Sequence, residues 1–298
     1  MQNRLIPFFA IPLSIGSMAM SACAEAPAQT RAETVEAPAS GGELTSILNA
    51  GVIAEFGPTE DNRAKFLFDP LYDNHFGSLQ ELTPDLIDAI VAGSPPYDAV
   101  DAVFVSHAHG DHFSAGHITA MLAAQPSVQV VAPTQALNAM REEAAWQTRF
   151  ESRVRAIALD NGETSDSFEI SGALIEAFRS PHSGWPDRHA NVHNITYRVS
   201  IAAGEGDYGR VMHMGDADPG AEHYTALQDF LAAHRTGVAM MPFWFYNVEG
   251  FDALLDETLN SESAIGVHVP VRVPAALEAS GRPYFGGVGQ VVEIPITP

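Results

Sequence analysis

Apolar residues along this chain come in short runs bounded by Gly, Pro, Asn, Asp or Ser, the pattern of strands buried on both faces. Such runs predict strands over Gly51–Phe56, Ala64–Phe68, Ala99–Ser106, Val128–Ala132, Arg153–Ala158, Leu174–Arg179, Asn194–Ile201, Arg210–Met214, Val238–Met241, Ala264–Val269 and Gln290–Ile294. Between them, apolar residues spaced by three and four predict helices over Leu82–Ala92, Ser114–Ala124, Thr134–Thr148, Ala221–His234, Phe251–Ser261 and Val273–Ser280. Strands and helices interleave to the end of the chain. Two sheets with helices packed outside them bury such a series. The expectation is therefore an α/β fold, an αββα sandwich, as a single domain over residues 43–298.

The N-terminal segment breaks this pattern. Arg4 precedes an apolar run, Leu5–Met20, which is followed by small residues. The run is shorter than the roughly 20 residues of a membrane span and has the layout of an export signal. Met20-Ser21-Ala22-Cys23 resembles a bacterial lipoprotein box. Residues 1–22 are expected to be a lipoprotein-type signal peptide, with Cys23 acylated after cleavage. Ordinary cleavage to a soluble periplasmic form is the alternative. Residues 23–42, rich in Ala, Glu, Pro, Ser and Thr, are expected to be a flexible tether. The expected location is thus exported and periplasmic, with the membrane reached only through a lipid anchor at Cys23.

Composition narrows the partners. Asp and Glu number 37 against 15 Lys and Arg, a formal charge of −22. The basic residues form no cluster, so a nucleic-acid partner is excluded and a small-molecule substrate is expected. Cys23 is the single cysteine. No intramolecular disulfide can form, and a thiolate ligand in the folded domain is not expected. Oligomeric state stays open.

The chemistry concentrates in Val103-Phe104-Val105-Ser106-His107-Ala108-His109-Gly110-Asp111-His112. An apolar strand runs into four potential metal ligands within six residues. His107 and His109, two apart on extended backbone, share one side. Asp111 and His112 follow in the turn before a helix and can reach a second position. Neutral imidazole and carboxylate suit zinc and similar divalent ions.

This His-x-His-x-Asp-His segment after a buried strand resembles the metallo-β-lactamase superfamily, which folds as an αββα sandwich with metals at one edge of the sheets. Other segments fit that resemblance in order. Asp69, in Leu67-Phe68-Asp69-Pro70, resembles an early Asp that braces the site. His182 in Ser180-Pro181-His182, Asp216 in Met214-Gly215-Asp216 and His268 in Val267-His268-Val269 resemble the later ligands. The resemblance implies that His107, His109 and His182 hold one metal, that Asp111, His112 and His268 hold a second, and that Asp216 bridges them. His189 and His193 share a loop with His182 and rival it as ligand or face substrate. His213 is expected to be a packed strand residue. The aromatic run Phe243–Tyr246 is expected either to pack or to line an apolar pocket.

The resemblance further implies two divalent ions, zinc first with manganese or iron as alternatives. A bridging hydroxide would be the nucleophile, with Asp111 orienting it and moving a proton. The presence of Asp216 and the lack of a cysteine ligand disfavour antibiotic hydrolysis. The spacing looks most like the broad branch of ascorbate-phosphate lactonase and N-acylethanolamine phospholipase-type enzymes. Hydrolysis of a small ester or lactone is the leading expectation. A phosphodiesterase or phospholipase-type hydrolase is the alternative, and a non-catalytic metal-binding surface lipoprotein is the second.

Overall fold

Strand Gly42–Leu48 (β1) opens a computed structural model that describes residues 40–57 and 63–298. The expected signal peptide, Cys23 and nearly all of the expected tether lie outside the described residues. β1 pairs antiparallel with β2 (Gly51–Phe56), and β2 with β3 (Ala64–Phe68). β4 (Ala102–Phe104), β5 (Gln129–Pro133) and β6 (Val154–Ile157) then add in parallel. β13 (Val291–Ile294) closes the other edge, giving the order β13-β1-β2-β3-β4-β5-β6.

The second sheet contains β7 (Phe168–Ile170), β8 (Ala173–Arg179), β9 (Ile195–Ala202), β10 (Tyr208–His213), β11 (Thr236–Pro242) and β12 (Ser261–Val267) in reverse spatial order. β14 (Ile296–Thr297) pairs with β10. Here too three antiparallel pairings give way to parallel ones, at β10–β11 and β11–β12.

Pleating divides each strand between two apolar layers. Phe66, Phe68 and Phe104 point between the sheets, where they meet Tyr197, Val199 and Met240. Leu67, Val103 and Ile53 point outward under three helices, α1 (Pro84–Ala92), α2 (Ala115–Ala124) and α3 (Thr134–Glu142). Met212, Ala239 and Met241 point outward on the other side, toward α4 (Gln228–Ala233) and the segments around Phe245 and Phe251. This is the expected αββα sandwich, and burial on both faces is why the strands read as nearly unbroken apolar runs.

Local predictions fail where tertiary contacts outweigh pattern. β1 adjoins the expected tether and its mixed sequence, GELTSIL, gave no strand signal. The helix expected to run from Thr134 to Thr148 stops at Glu142 and is followed by a 3-10 turn, Thr148–Arg153. Glu143 takes an extended conformation there, and Trp146 packs edge-on against Phe150 at 5.5 Å. The helix expected over Ala221–His234 divides into a 3-10 segment and α4. That over Phe251–Ser261 shrinks to α5 (Phe251–Ala253) and a π turn, Leu254–Thr258, and the last, α6, covers Ala275–Ser280. No helix among the described residues is long and apolar enough to cross a membrane.

Arg198 on β9 is fully buried and pairs across the sheet with Glu176 on β8, at 2.9 and 3.0 Å. Its remaining donors reach the carbonyls of Phe230, Leu231 and His234, so it caps the carboxyl end of α4. Burial raises the Glu176 carboxyl, but the Arg198 hydrogen bonds and charge leave it below its ordinary value. The sign follows directly. Glu176 is favoured ionised when folded, so its contribution is complete at neutral pH and is lost as pH falls below the usual glutamate range. Glu176→Gln should destabilise the fold at pH 7 by about 1–3 kcal/mol. The gap from the parent protein should narrow in urea unfolding at acid pH, and a gap independent of pH would contradict this account.

β1 starts at one end of the sandwich, where Gly41 donates to the Ile294 carbonyl and lies so close to Gly209 that neither could carry a side chain. Seven strand residues later the chain reaches the opposite end, roughly 20 Å away. The candidate site lies at that second end.

Candidate metal centre

Four strand ends deliver the site. The loop after β4 carries His107, His109, Asp111 and His112, and its last turn is pinned where Ser114 caps α2 by accepting the His117 N–H. β8 runs into His182, β10 into Asp216 and β12 into His268. Gly215, at φ 54, leaves no room for a side chain, because a Cβ there would lie 2.4 Å from Asn194 Oδ1 and 2.6 Å from Ser106 Cβ.

The structure gathers the expected residues into two groups that share Asp216. In one, His107 Nε2 and His182 Nε2 lie 3.1 and 3.2 Å from His109 Nδ1, and Asp216 Oδ2 is 3.4 Å from His182 Nε2. In the other, Asp111 Oδ2 lies 3.1 Å from His268 Nε2, and Asp216 Oδ1 lies 3.0 Å from His112 Nε2 and 3.5 Å from His268 Nε2. Ligand atoms around a tetrahedral zinc with bonds of about 2.0–2.1 Å sit roughly 3.3 Å apart, which both groups resemble.

Hydrogen bonds on the far side of the rings settle which nitrogens are lone pairs. Asp69 accepts from Ser106 N–H at 2.7 Å and from Ser106 Oγ–H at 2.6 Å. Ser106 Oγ, its proton committed, accepts from His107 Nδ1–H at 3.0 Å, which leaves His107 Nε2 as an acceptor. His112 Nδ1–H donates to Asp69 at 2.8 Å, and His182 Nδ1–H donates to the Ser183 carbonyl at 3.0 Å. The inward nitrogens of His107, His112 and His182 are therefore electron-pair donors. His112 Nε2 and Asp216 Oδ1 are buried, misaligned for a hydrogen bond, and without another partner. Two such atoms at 3.0 Å repel unless a cation lies between them, so the donor set fits divalent metal ions.

The charges agree. Burial would raise the Asp216 carboxyl, but His268 and His112 hold it well below the usual carboxylate range. Burial opposes charge on His112, yet Asp216 and Asp69 favour positive charge there, a field that a divalent cation also satisfies.

The remaining candidates separate. His189 stands in an exposed loop at φ 60, its ring 4.5 Å from His182 and 5.1 Å from His109, outside both groups but at their mouth. His193 belongs to neither group, and its backbone N–H donates to Gln135. His213 stacks on Phe68 at 5.2 Å and donates from Nε2 to the Ala50 carbonyl. The aromatic run divides its roles: Phe245 is buried, whereas Trp244 packs edge-on against His268 at 5.3 Å.

Two asparagines were missed. Asn194, fully buried, accepts the Asp216 N–H and donates to Ser180 and Met214. Asn49 donates from Nδ2 to the Asp111 carbonyl at 2.7 Å. In sequence both look like turn residues, because the groups they touch are far along the chain. Among the described residues, four of the eight non-glycine residues at positive φ (Asn49, Asp69, His189 and His268) belong to this region, as strain collected at a functional site does.

Residues 64–249 match the family model described as the beta-lactamase superfamily domain. The chain is a member of the metallo-β-lactamase superfamily. The matched stretch contains Asp69, the histidine motif, His182 and Asp216, but neither Asn49 nor His268. Among solved structures, the fold is similar to Igni18, a metallo hydrolase from the hyperthermophilic archaeon Ignicoccus hospitalis. That likeness has 14% identity and a TM-score of 0.54, and covers 85% of this chain and 98% of that one. It is also similar to an isothiocyanate hydrolase from Delia radicum gut bacteria, at 16% identity and a TM-score of 0.52, over 84% and 98% of the two chains. No curated protein matches the chain. Membership of this superfamily is consistent with the metal-dependent hydrolase that the sequence leads us to expect.

Proposed function

We propose that this chain is an exported metallo-hydrolase that holds two divalent ions and cleaves a small ester or lactone. The observation that carries the reading is the Asp216 carboxylate, with one oxygen facing each group of ligand atoms. His107, His109 and His182 would hold one ion, Asp111, His112 and His268 the other, with zinc favoured by the imidazole-rich donor set. Such a pair supplies an activated water and polarises the bond to be broken. Asp111 would accept a proton at the carboxylate oxygen that does not hold the ion and pass it to the leaving atom. The outer nitrogens of His182 and His107 donate to fixed acceptors, which aims their inward nitrogens at the ion they would hold. His189 and Trp244 border the mouth and contact the substrate's outer part.

Export, the Cys23 anchor and a small-molecule substrate complete the reading. They rest on the N-terminal pattern and on the charge of −22, which repels polyanions. The test compares an aromatic lactone with bis(p-nitrophenyl) phosphate, using metal-loaded full-length protein with Asp216→Ala as the blank. Lactone turnover that disappears in the blank supports carbonyl chemistry. Turnover of the phosphodiester instead replaces this reading with the phospholipase-type one. Full metal loading without turnover of either supports a binding protein.

A further inference from the structure

Asn49 begins the two-residue turn between β1 and β2, buried at 5% exposure and at φ 53. Its side-chain amide donates to the Asp111 carbonyl at 2.7 Å, and its own carbonyl accepts the His268 N–H at 3.0 Å. Asp111 and His268 lie 157 residues apart in sequence, and their side chains meet at 3.1 Å. Both belong to the group that also contains His112, and neither belongs to the group of His107, His109 and His182. One residue therefore grips two segments of one metal position and none that is exclusive to the other.

The residue type matters twice. Asparagine tolerates the left-handed backbone that this turn needs. Its amide N–H also donates to a carbonyl, which an aspartate cannot do. Asn49 Oδ1 is buried without a partner, so donation to Asp111 is the single hydrogen bond that fixes the side chain. A residue present merely to make the turn would have no use for that bond, and glycine would serve it better.

We propose that Asn49 is a positioning residue for the second metal position alone, setting its affinity by holding the Asp111 loop at the His268 strand end. The inference rests on the two-ion reading above. Asn49 hydrogen-bonds to the backbone of Asp111 and His268 and to no proposed ligand atom, so it acts on the ion through those two residues.

The test is a zinc titration of the full-length chain with a competing chelator, with bound metal counted by mass spectrometry. Cobalt replacement would report the two positions separately by their absorption. Asn49→Gly keeps the turn and removes the amide. It should weaken one metal equivalent about 10–100-fold and leave the other within about twofold. Asn49→Asp, which turns an acceptor toward the Asp111 carbonyl, should weaken the same equivalent at least as much. Two equivalents that stay unchanged in Asn49→Gly would overturn the proposal. Equal weakening of both, with a lower melting temperature of the chelator-treated variant, would overturn it in favour of a general role in the fold. A parent protein that binds one equivalent would overturn the two-ion reading itself, which separates the two failures.

Discussion

Asp216→Ala is expected to lose both metal equivalents and to reduce hydrolysis by more than about 100-fold. The size follows from the position of the carboxylate. Its oxygens face different groups, 3.4 Å from His182 Nε2 and 3.0 Å from His112 Nε2, so no other side chain among the described residues serves both. Its surroundings are built to hold it. Gly215 before it has no room for a Cβ, and Asn194 takes its backbone N–H. Removing the carboxylate leaves the inward nitrogens of His112 and His182 without their shared anion. Metal analysis and turnover should fall together. A variant that retains both ions and loses turnover alone would make Asp216 a catalytic group rather than a ligand. Asp216→Asn, with the shape kept and the charge removed, should resemble the alanine variant more than the parent.

Asp69→Ala should cost about 3–5 kcal/mol of folding stability and should also weaken metal binding. Asp69 is 1% exposed and accepts three hydrogen bonds, from Ser106 N–H, Ser106 Oγ–H and His112 Nδ1–H. Each donor would be left buried without a partner. The Ser106 hydroxyl would lose the acceptor that fixes its direction, and with it the bond that keeps His107 Nε2 free of a proton. Asp69→Asn separates the two effects. It keeps the volume and part of the hydrogen bonding, but turns an N–H toward a donor, so metal affinity should fall about 10–100-fold with a smaller stability loss. Chemical denaturation of chelator-treated protein, set beside metal titration, distinguishes the effects. An Asp69→Asn variant with parental affinity would mean that this network braces the fold without tuning the ligands.

Legibility from sequence followed the distance over which each feature is encoded. His107, His109, Asp111 and His112 lie within six residues, so their convergence is written locally. β2 and β3 matched their predicted bounds because burial on both faces leaves them apolar throughout. His182, His189 and His193 could not be ranked by spacing, since all lie in one loop. The fold ranks them by placing His182 beside Asp216 and by tying His182 Nδ1 to the Ser183 carbonyl. β1 escaped because Glu43 and Thr45 interrupt its apolar positions beside a tether-like stretch. Asn49 and Asn194 escaped for a different reason. Their partners are 62 and 22 residues away, and an asparagine at a strand end carries no sign of what it will touch.

The two ends of β1 have practical meaning. Gly41 enters the sandwich beside Gly209 and Ile294, whereas Asn49, eight residues later, already touches the Asp111 loop. The point at which the preceding residues join is therefore at the opposite end of the domain from the ligand residues. An affinity tag or a resin linker placed there would join the domain at the end opposite the proposed ligands.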